Sequence, residues 1–391
     1  MESLRVHRVG GFYYGMKSLT HLWRVTKCPQ MQPLARSRMS RNNRALLVFV
    51  PLLLSASSVN AVLFYSTGDP NYNTSAPTGS LTNSGWQYQG IWGDFLGTPI
   101  APKYFITAQH VGGVIGQTFN FRGVQYTTTA AYDDPSSDLR IWRICGTFPD
   151  YAPLYTKSTE VNKSFVVFGR GTQRSSPVTT TNLVGTVKTN GWFWGPSDAV
   201  VRWGENDVAG VITDNTVGDL LQATFDANGG VNECHLSGGD SAGGLFIKDG
   251  PDWKLAGINY AVDGPYSTTN SDAESFATGV AIFDGVGLYE KSVEGIWVPA
   301  TGPGSFYASR VSAHLSWITS VINADIPPVL QSSTNADAGY ADEANATVDT
   351  ASNTITVAAP DGSRFYRLRA CDPMTITTVR VQGGNLVFNY Q

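Results

Sequence analysis

The chain has 391 residues, 42% of them hydrophobic and only 15% charged, with 41 Gly, 20 Pro, 18 Phe, 17 Tyr and 10 Trp. That balance excludes wholesale disorder, a coiled coil and a collagen-like chain, and it points to a turn-dense all-β protein with two or three compact units. The net charge of −4 hides an asymmetry: residues 1–61 hold nine Lys or Arg against Glu2 alone, which leaves 18 basic against 30 acidic residues beyond them, a net of −12. So acidic a surface neutralises few phosphates, which argues against a nucleic-acid partner.

Residues 39–61 read as a secretory signal. Arg41 and Arg44 form its basic start, Ala45 to Leu54 an apolar run, and Val59-Asn60-Ala61 a small-residue cleavage site. Ten apolar residues are too few to span a bilayer, and no other stretch approaches that length. Met39 makes a sensible start, so residues 1–38 are set aside with the signal as a non-mature N-terminus. The expected destination is secreted, periplasmic or cell-surface. Export permits disulfides, but Cys145, Cys234 and Cys371 are an odd number, and spacing does not choose among their three pairings.

From Trp86 to Ile258 short apolar or alternating runs are separated by Gly, Pro, Asn and Asp. Gln117–Phe121 and Val124–Thr128 flank Arg122-Gly123, and Asp249-Gly250 separates Leu245–Ile247 from Leu255–Ile258. These are hairpin signals of an antiparallel sandwich or barrel. Further strands are expected at Phe165–Phe168, Leu183–Val187 and Ala199–Trp203. Tyr307, Val311, Leu315, Ile318 and Ile322 then recur at helical spacing, so one helix closes the β region. Ala324–Ala344, rich in Ser, Asn and Ala and holding Pro327-Pro328, reads as a linker. Residues 345–391 read as a small β tail.

An imidazole base must come from His110, His235 or His314, the histidines left beyond residue 61. His110 ends the apolar run YFITAQH, where a rigid strand presents a side chain to a cleft. His314 falls on the solvent side of the closing helix and reads as a surface residue. His235 stands six residues before Ser241 and is ambiguous. In CHLSGGDSAGGLF, Cys234 to Phe246, four glycines surround an Asp-Ser pair, which lets the backbone turn sharply and two N–H groups converge on one point, as an oxyanion hole requires. The best acid to orient an imidazole is Asp138 in SSDLRIWRI, at a strand start. Asp133 and Asp134, in Asp-Asp-Pro-Ser-Ser, read as a solvated turn. No HExxH or CxxC pattern supports a metal site, and no cofactor is expected.

In order along the chain, FITAQH, DLRIWRI and GDSAGG resemble the φ-x-T-A-A-H, D-I-A-L and G-D-S-G-G-P motifs of the trypsin/chymotrypsin-like serine peptidases, in the secreted bacterial type. WKLAGINY and FYASRVSAHLSWITSVI resemble that family's later strand and terminal helix, so the resemblance spans about Trp86 to Ile322. It implies two six-stranded antiparallel β-barrels, residues 62–163 and 164–323, with the C-terminal helix and a site in the cleft between them. His110, Asp138 and Ser241 would form a catalytic triad on a polypeptide substrate, with Gly239 and Ser241 N–H groups as the oxyanion hole. Asp240 would be a buried acid shaping that loop. His235 and Tyr260 would bind substrate, His235 as the pocket base, which favours acidic or polar side chains over Lys and Arg.

Departures from the family pattern are Ala242 in place of a glycine, the long Gly264–Gly302 connection, and the lack of an I-V-G-G start. No Lys or Arg occurs between Val62 and Pro102, so Asp240 needs a partner elsewhere or the terminus at Val62 must serve. The alternatives are a protease fold without turnover that binds partners through its cleft, and a surface adhesive or structural protein acting through its tail.

Overall fold

A computed structural model describes residues 4–6, 62–272, 275–276, 279–292, 294–324, 327–370 and 374–391. The expected signal at 39–61 and Cys371 lie outside them. The chain divides into two compact units, one running through Asn323 and one formed by Ala324–Gln391 with the first residues of the chain.

The first half of the large unit is a closed antiparallel barrel. Its strands are β1 (Gly90–Trp92), β2 (Phe95–Ala101), β3 (Tyr104–Ala108), β4 (Thr118–Phe121), β5 (Val124–Asp133) and β6 (Leu139–Ile144), in the order β1-β2-β3-β6-β5-β4. Alternation builds it: along β4, Phe119 and Phe121 turn inward while their neighbours face solvent. They pack with Trp92, Phe105, Trp142 and Phe148. The β4–β5 hairpin closes where expected, with Arg122 and Gly123 both at positive φ, +52° and +78°, as a tight two-residue turn demands.

The second half is built on β7 (Ser164–Gly169), β8 (Thr172–Thr181), β9 (Val187–Ser197), β10 (Arg202–Asp207), β11 (Gly210–Asp214), β12 (Gly218–Thr224), β13 (Gly244–Asp249), β14 (Asp252–Val262), β15 (Val280–Ile282) and β16 (Ser305–Arg310). It hydrogen-bonds as a seven-stranded antiparallel sheet, β10-β7-β13-β14-β16-β12-β11, with a three-stranded β8-β9-β15 sheet beside it. Leu183 and Val184 are the exposed tip of the β8–β9 hairpin and not strand, because Asn182 accepts the N–H groups of Val184 and Thr186 and turns the chain there. Helical spacing also begins later than read: Tyr307 lies in β16, a 3₁₀ turn spans Val311–His314, and α1 is Leu315–Ile322. The two halves meet through one core that joins Leu96, Ile106 and Leu139 of the barrel to Phe168, Phe246 and Ile258 of the sheet and Ile318 of α1.

The Gly264–Gly302 connection is not open loop. Tyr266–Ser267, Tyr289–Lys291 and Trp297–Pro299 form a small sheet, and Tyr266, Ile282 and Leu288 give it a core with Val178 of β8.

In the second unit, the segment read as linker supplies strands Val329–Ser333 and Ala341–Asp342, which join Arg364–Arg369 and Leu4–Val6 in one four-stranded sheet. Its polar composition misled because those groups are paired. Gln331 donates to Asp342 at 2.7 Å and accepts from Arg367 at 2.8 Å. A second four-stranded sheet, Thr347–Asp349, Thr354–Ala358, Asn385–Tyr390 and Ile376–Gln382, shares a core with the first through Leu330, Tyr366, Leu368, Ile355 and Phe388. The tail is a small β-sandwich.

Glu233, 2% exposed, lies before the Cys234–His235 strand, and its Oε1 accepts from Asn206 and from the Asp226 N–H. Burial pushes its pKa from 4.5 up to about 8. Because the folded value lies above the unfolded one, its contribution to stability is complete below about pH 4.5 and is lost as pH rises to about 8, by up to ~5 kcal/mol. Glu233→Gln is expected to flatten the dependence of Tm on pH between 5 and 9. An unchanged slope in calorimetry would remove burial of this carboxyl as its source.

Candidate active site

His110 stands two residues beyond β3, and the preceding Gln109 anchors it. The Gln109 carboxamide donates to the carbonyls of Asp134 and Ser137 at 2.7 and 2.9 Å, and its N–H donates to the Asp138 carbonyl at 2.5 Å. The β5–β6 connection is thereby tied to the end of β3. Asp138, 7% exposed, faces the ring from that connection. One carboxylate oxygen accepts the His110 N–H at 3.0 Å, and the other lies 2.6 Å from His110 Nδ1. The far ring nitrogen, Nε2, lies 2.8 Å from Ser241 Oγ. Two contacts to one carboxylate fix the ring's orientation and direct the Nδ1 proton at Asp138, so Nε2 is the acceptor for the serine hydroxyl. Tyr260 sets its ring edge-on to the imidazole, centroids 5.8 Å apart.

Ser241 projects from a loop held by Asp240 and Asn259. Asp240 is fully buried, and its carboxylate accepts from Gly171 N–H at 2.7 Å, Ser237 N–H at 2.8 Å and Ser237 Oγ at 2.8 Å. The Val62 N–H also donates to it, but burial outweighs these bonds and pushes its pKa up to about 6. The Asn259 side chain, also fully buried, donates to the carbonyls of Phe168 and Asp240, and the Asn259 backbone carbonyl accepts from Ala242 N–H. Gly239 has φ +97° and packs so tightly that a Cβ there would come within 2.8 Å of Gly171 Cα. Among the described residues no acceptor meets the N–H of Gly239 or of Ser241. Ala242 is held at φ +65°, a left-handed conformation that costs a residue with a Cβ about 1 kcal/mol of backbone strain.

A cleft of about 110 Å³ adjoins Ser241, with Trp194, Leu236, Gly238, Tyr260, Ala261 and Val262 in its walls. Tyr260, expected to bind substrate, forms one of these walls. His235 does not line the cleft. It is 1% exposed, pinned between Phe225 and Phe306 at 5.5 and 5.6 Å, with Nδ1 2.7 Å from the Leu236 carbonyl. Burial pushes its pKa down. The reason is a strand pairing invisible in the sequence: Cys234 and His235 pair with Phe64 and Leu63, which turns the imidazole into the core.

The structure corrects the reading of two further residues. Asp134 is no solvated turn acid and His314 no surface residue, for they are 3% and 8% exposed and bond to each other with Nδ1 2.7 Å from Oδ2. Sequence reasoning also passed over Gln109, Asn259 and Trp194. For the first two a signal existed, a lone amide inside an apolar run, whereas Trp194 reaches the cleft only through the β8–β9 hairpin. Among the described residues no group of His, Cys, Asp and Glu is arranged to hold a metal ion.

No protein-family model matches the chain, and no curated protein sequence does. Among solved structures its fold is similar to that of neuropsin, a serine protease expressed in the limbic system of mouse brain, at 12% identity and a TM-score of 0.36 over 62% of this chain and 96% of that one. By its own elements the fold is all-β, with one closed barrel, a second antiparallel sheet system and the helix α1.

Proposed function

We propose that the protein is a serine endopeptidase. The observation that carries this reading is the unbroken contact Asp138–His110–Ser241, 2.6 Å and 2.8 Å at its two joints. In a peptide substrate, Ser241 Oγ attacks the carbonyl carbon as its proton passes to His110 Nε2. Asp138 holds the Nδ1 proton and stabilises the imidazolium, and the N–H groups of Gly239 and Ser241 receive the oxyanion. The imidazolium then protonates the leaving amine, the C–N bond breaks, and water repeats the sequence on the acyl-enzyme. A fluorophosphonate probe tests this, since it labels only an activated serine: wild type should label at Ser241 and Ser241→Ala not at all. An unlabelled wild type would leave the cleft a binding site without turnover.

Withdrawal of His235 from the cleft changes the expected specificity. Its walls carry no charged side chain, so a carboxylate or ammonium entering it would lose its hydration without a partner, and its volume suits a small side chain. Cleavage of a peptide library is expected to follow small uncharged residues such as Ala, Val, Ser or Thr. Dominant cleavage after Glu or Arg would contradict it.

We further propose that the chain is exported with the segment before Val62 removed, in keeping with the basic, short-apolar and small-residue pattern at 39–61. The freed Val62 ammonium would then face the Asp240 carboxylate. Val62 is 2% exposed and sits at φ +56°, a strained conformation for a β-branched residue within a chain and one that cleavage before it relieves.

A further inference from the structure

Resting on the peptidase reading, we propose that His314 is a positioning residue for the triad: by holding the Asp134 carboxylate it fixes the loop that carries Asp138 against the half of the molecule that carries Ser241. The relay is assembled from two halves, with His110 and Asp138 from the barrel and Ser241 from the sheet beyond it. A productive hydrogen-bond relay tolerates errors of only about 0.5 Å, so something must hold the halves in register close to the site. His314 and Asp134 make that connection directly.

The acid loop is organised around one carboxylate. Asp134 Oδ1 accepts from the N–H and hydroxyl of Ser136, both at 2.9 Å, and Oδ2 accepts from Ser137 Oγ at 2.8 Å. Ser137 Oγ in turn accepts the Leu139 N–H, and the Asp134 N–H closes on the Leu139 carbonyl at 2.9 Å. Asp138 lies inside this ring of bonds. All of these donors are local to the loop, and the exception is His314, which reaches Oδ2 from the turn that opens α1. That turn is itself anchored, since Arg310 pairs with Glu160 at 2.8 Å and with Asp219 at 3.2 Å. The opposite ring nitrogen of His314 meets no hydrogen-bond partner, so the side chain acts through Nδ1 alone. Gly218 closes the packing. A Cβ there would lie 2.6 Å from the Ser136 carbonyl and 3.4 Å from the His314 ring.

The test compares His314→Leu, which removes the donor, with His314→Asn, whose amide nitrogen sits where Nδ1 does. Both are read below their melting temperatures by kcat and KM on a small uncharged peptide ester, and by the low-field proton resonance shared by His110 and Asp138. His314→Leu is expected to lower kcat about 10²-fold, the loss that goes with a misplacement near 1 Å, with KM little changed and the resonance broadened or lost. His314→Asn is expected to restore both. Should His314→Leu fail to fold, His314→Gln, whose amide reaches past the Nδ1 position, is expected to show the same kcat loss. A His314→Leu enzyme that melts earlier but keeps its kcat and its resonance would reduce the pair to a structural contact and overturn the proposal. Wild type that takes no fluorophosphonate removes the peptidase reading instead, and the resonance then still decides the role of His314.

Discussion

Asp138→Asn is expected to lower turnover by about 10⁴-fold while leaving the protein folded. The amide keeps the volume of the carboxylate and accepts the His110 N–H as before, so the barrel loses little. It also presents N–H donors toward Nδ1, which forces the ring into the other tautomer. The proton then sits on Nε2 and faces Ser241 Oγ, where an acceptor is required. Asp134→Asn is the informative comparison. It leaves the Ser136 bonds to Oδ1 in place and changes the His314 contact, so it should cost much less than Asp138→Asn. If steady-state kinetics put the larger loss at Asp134, the acid has been assigned to the wrong residue.

Asp240 is expected to give the second large effect, and one whose pH dependence changes sign with the state of the N-terminus. While Val62 is joined to the chain before it, the carboxylate is held only by N–H and O–H dipoles and burial pushes its pKa from 3.8 up to about 6. The folded value then exceeds the unfolded one, and stability falls as pH rises from about 4 to 6, by about 3 kcal/mol. A free Val62 ammonium in the same place favours the ionised carboxylate and drives its folded pKa below the unfolded value. Stability is then fully present above about pH 4 and lost as pH falls. The chain beginning at Val62 is therefore expected to gain in melting temperature relative to an N-terminally extended chain as pH rises from 4 to 7, whatever slope Glu233 imposes on both. Because Asp240 shapes the loop carrying Gly239 and Ser241, the extended chain should also be less active than the chain beginning at Val62. Asp240→Ala, which leaves the buried N–H groups of Gly171, Ser237 and Val62 without their acceptor, should cost about 3–5 kcal/mol in either form. Equal activity and equal pH slopes for the two chains would disconnect the Val62 terminus from the site.

Much of the site was legible before any fold was known, because chemistry restricts which residue types can serve. Few histidines remain beyond residue 61, one of them ends an apolar strand, and one serine sits in a glycine-dense turn. Those are local facts of spacing, and the structure brings His110, Asp138 and Ser241 together. The errors share a different character. His235 was placed in the cleft by its offset from Ser241, yet a two-residue strand pairing with Leu63 and Phe64 turns it inward. Asp134 and His314 each looked solvent-facing in its own segment, and both are buried and bonded to each other. The linker was read from its polar residues, whose partners lie in distant strands.

The amino-acid order by itself determined the β architecture, the hairpins at Arg122-Gly123 and Asp249-Gly250, and which residue types the candidate site could draw on, because periodicity, turn chemistry and side-chain chemistry are properties of neighbouring residues. Tertiary structure alone decided which carboxylate faces which imidazole, what lines the cleft beside Ser241, and that the Val62 amide meets Asp240. Those are pairings between segments far apart along the chain, and such pairings are set by which buried polar groups can satisfy one another once the core has closed.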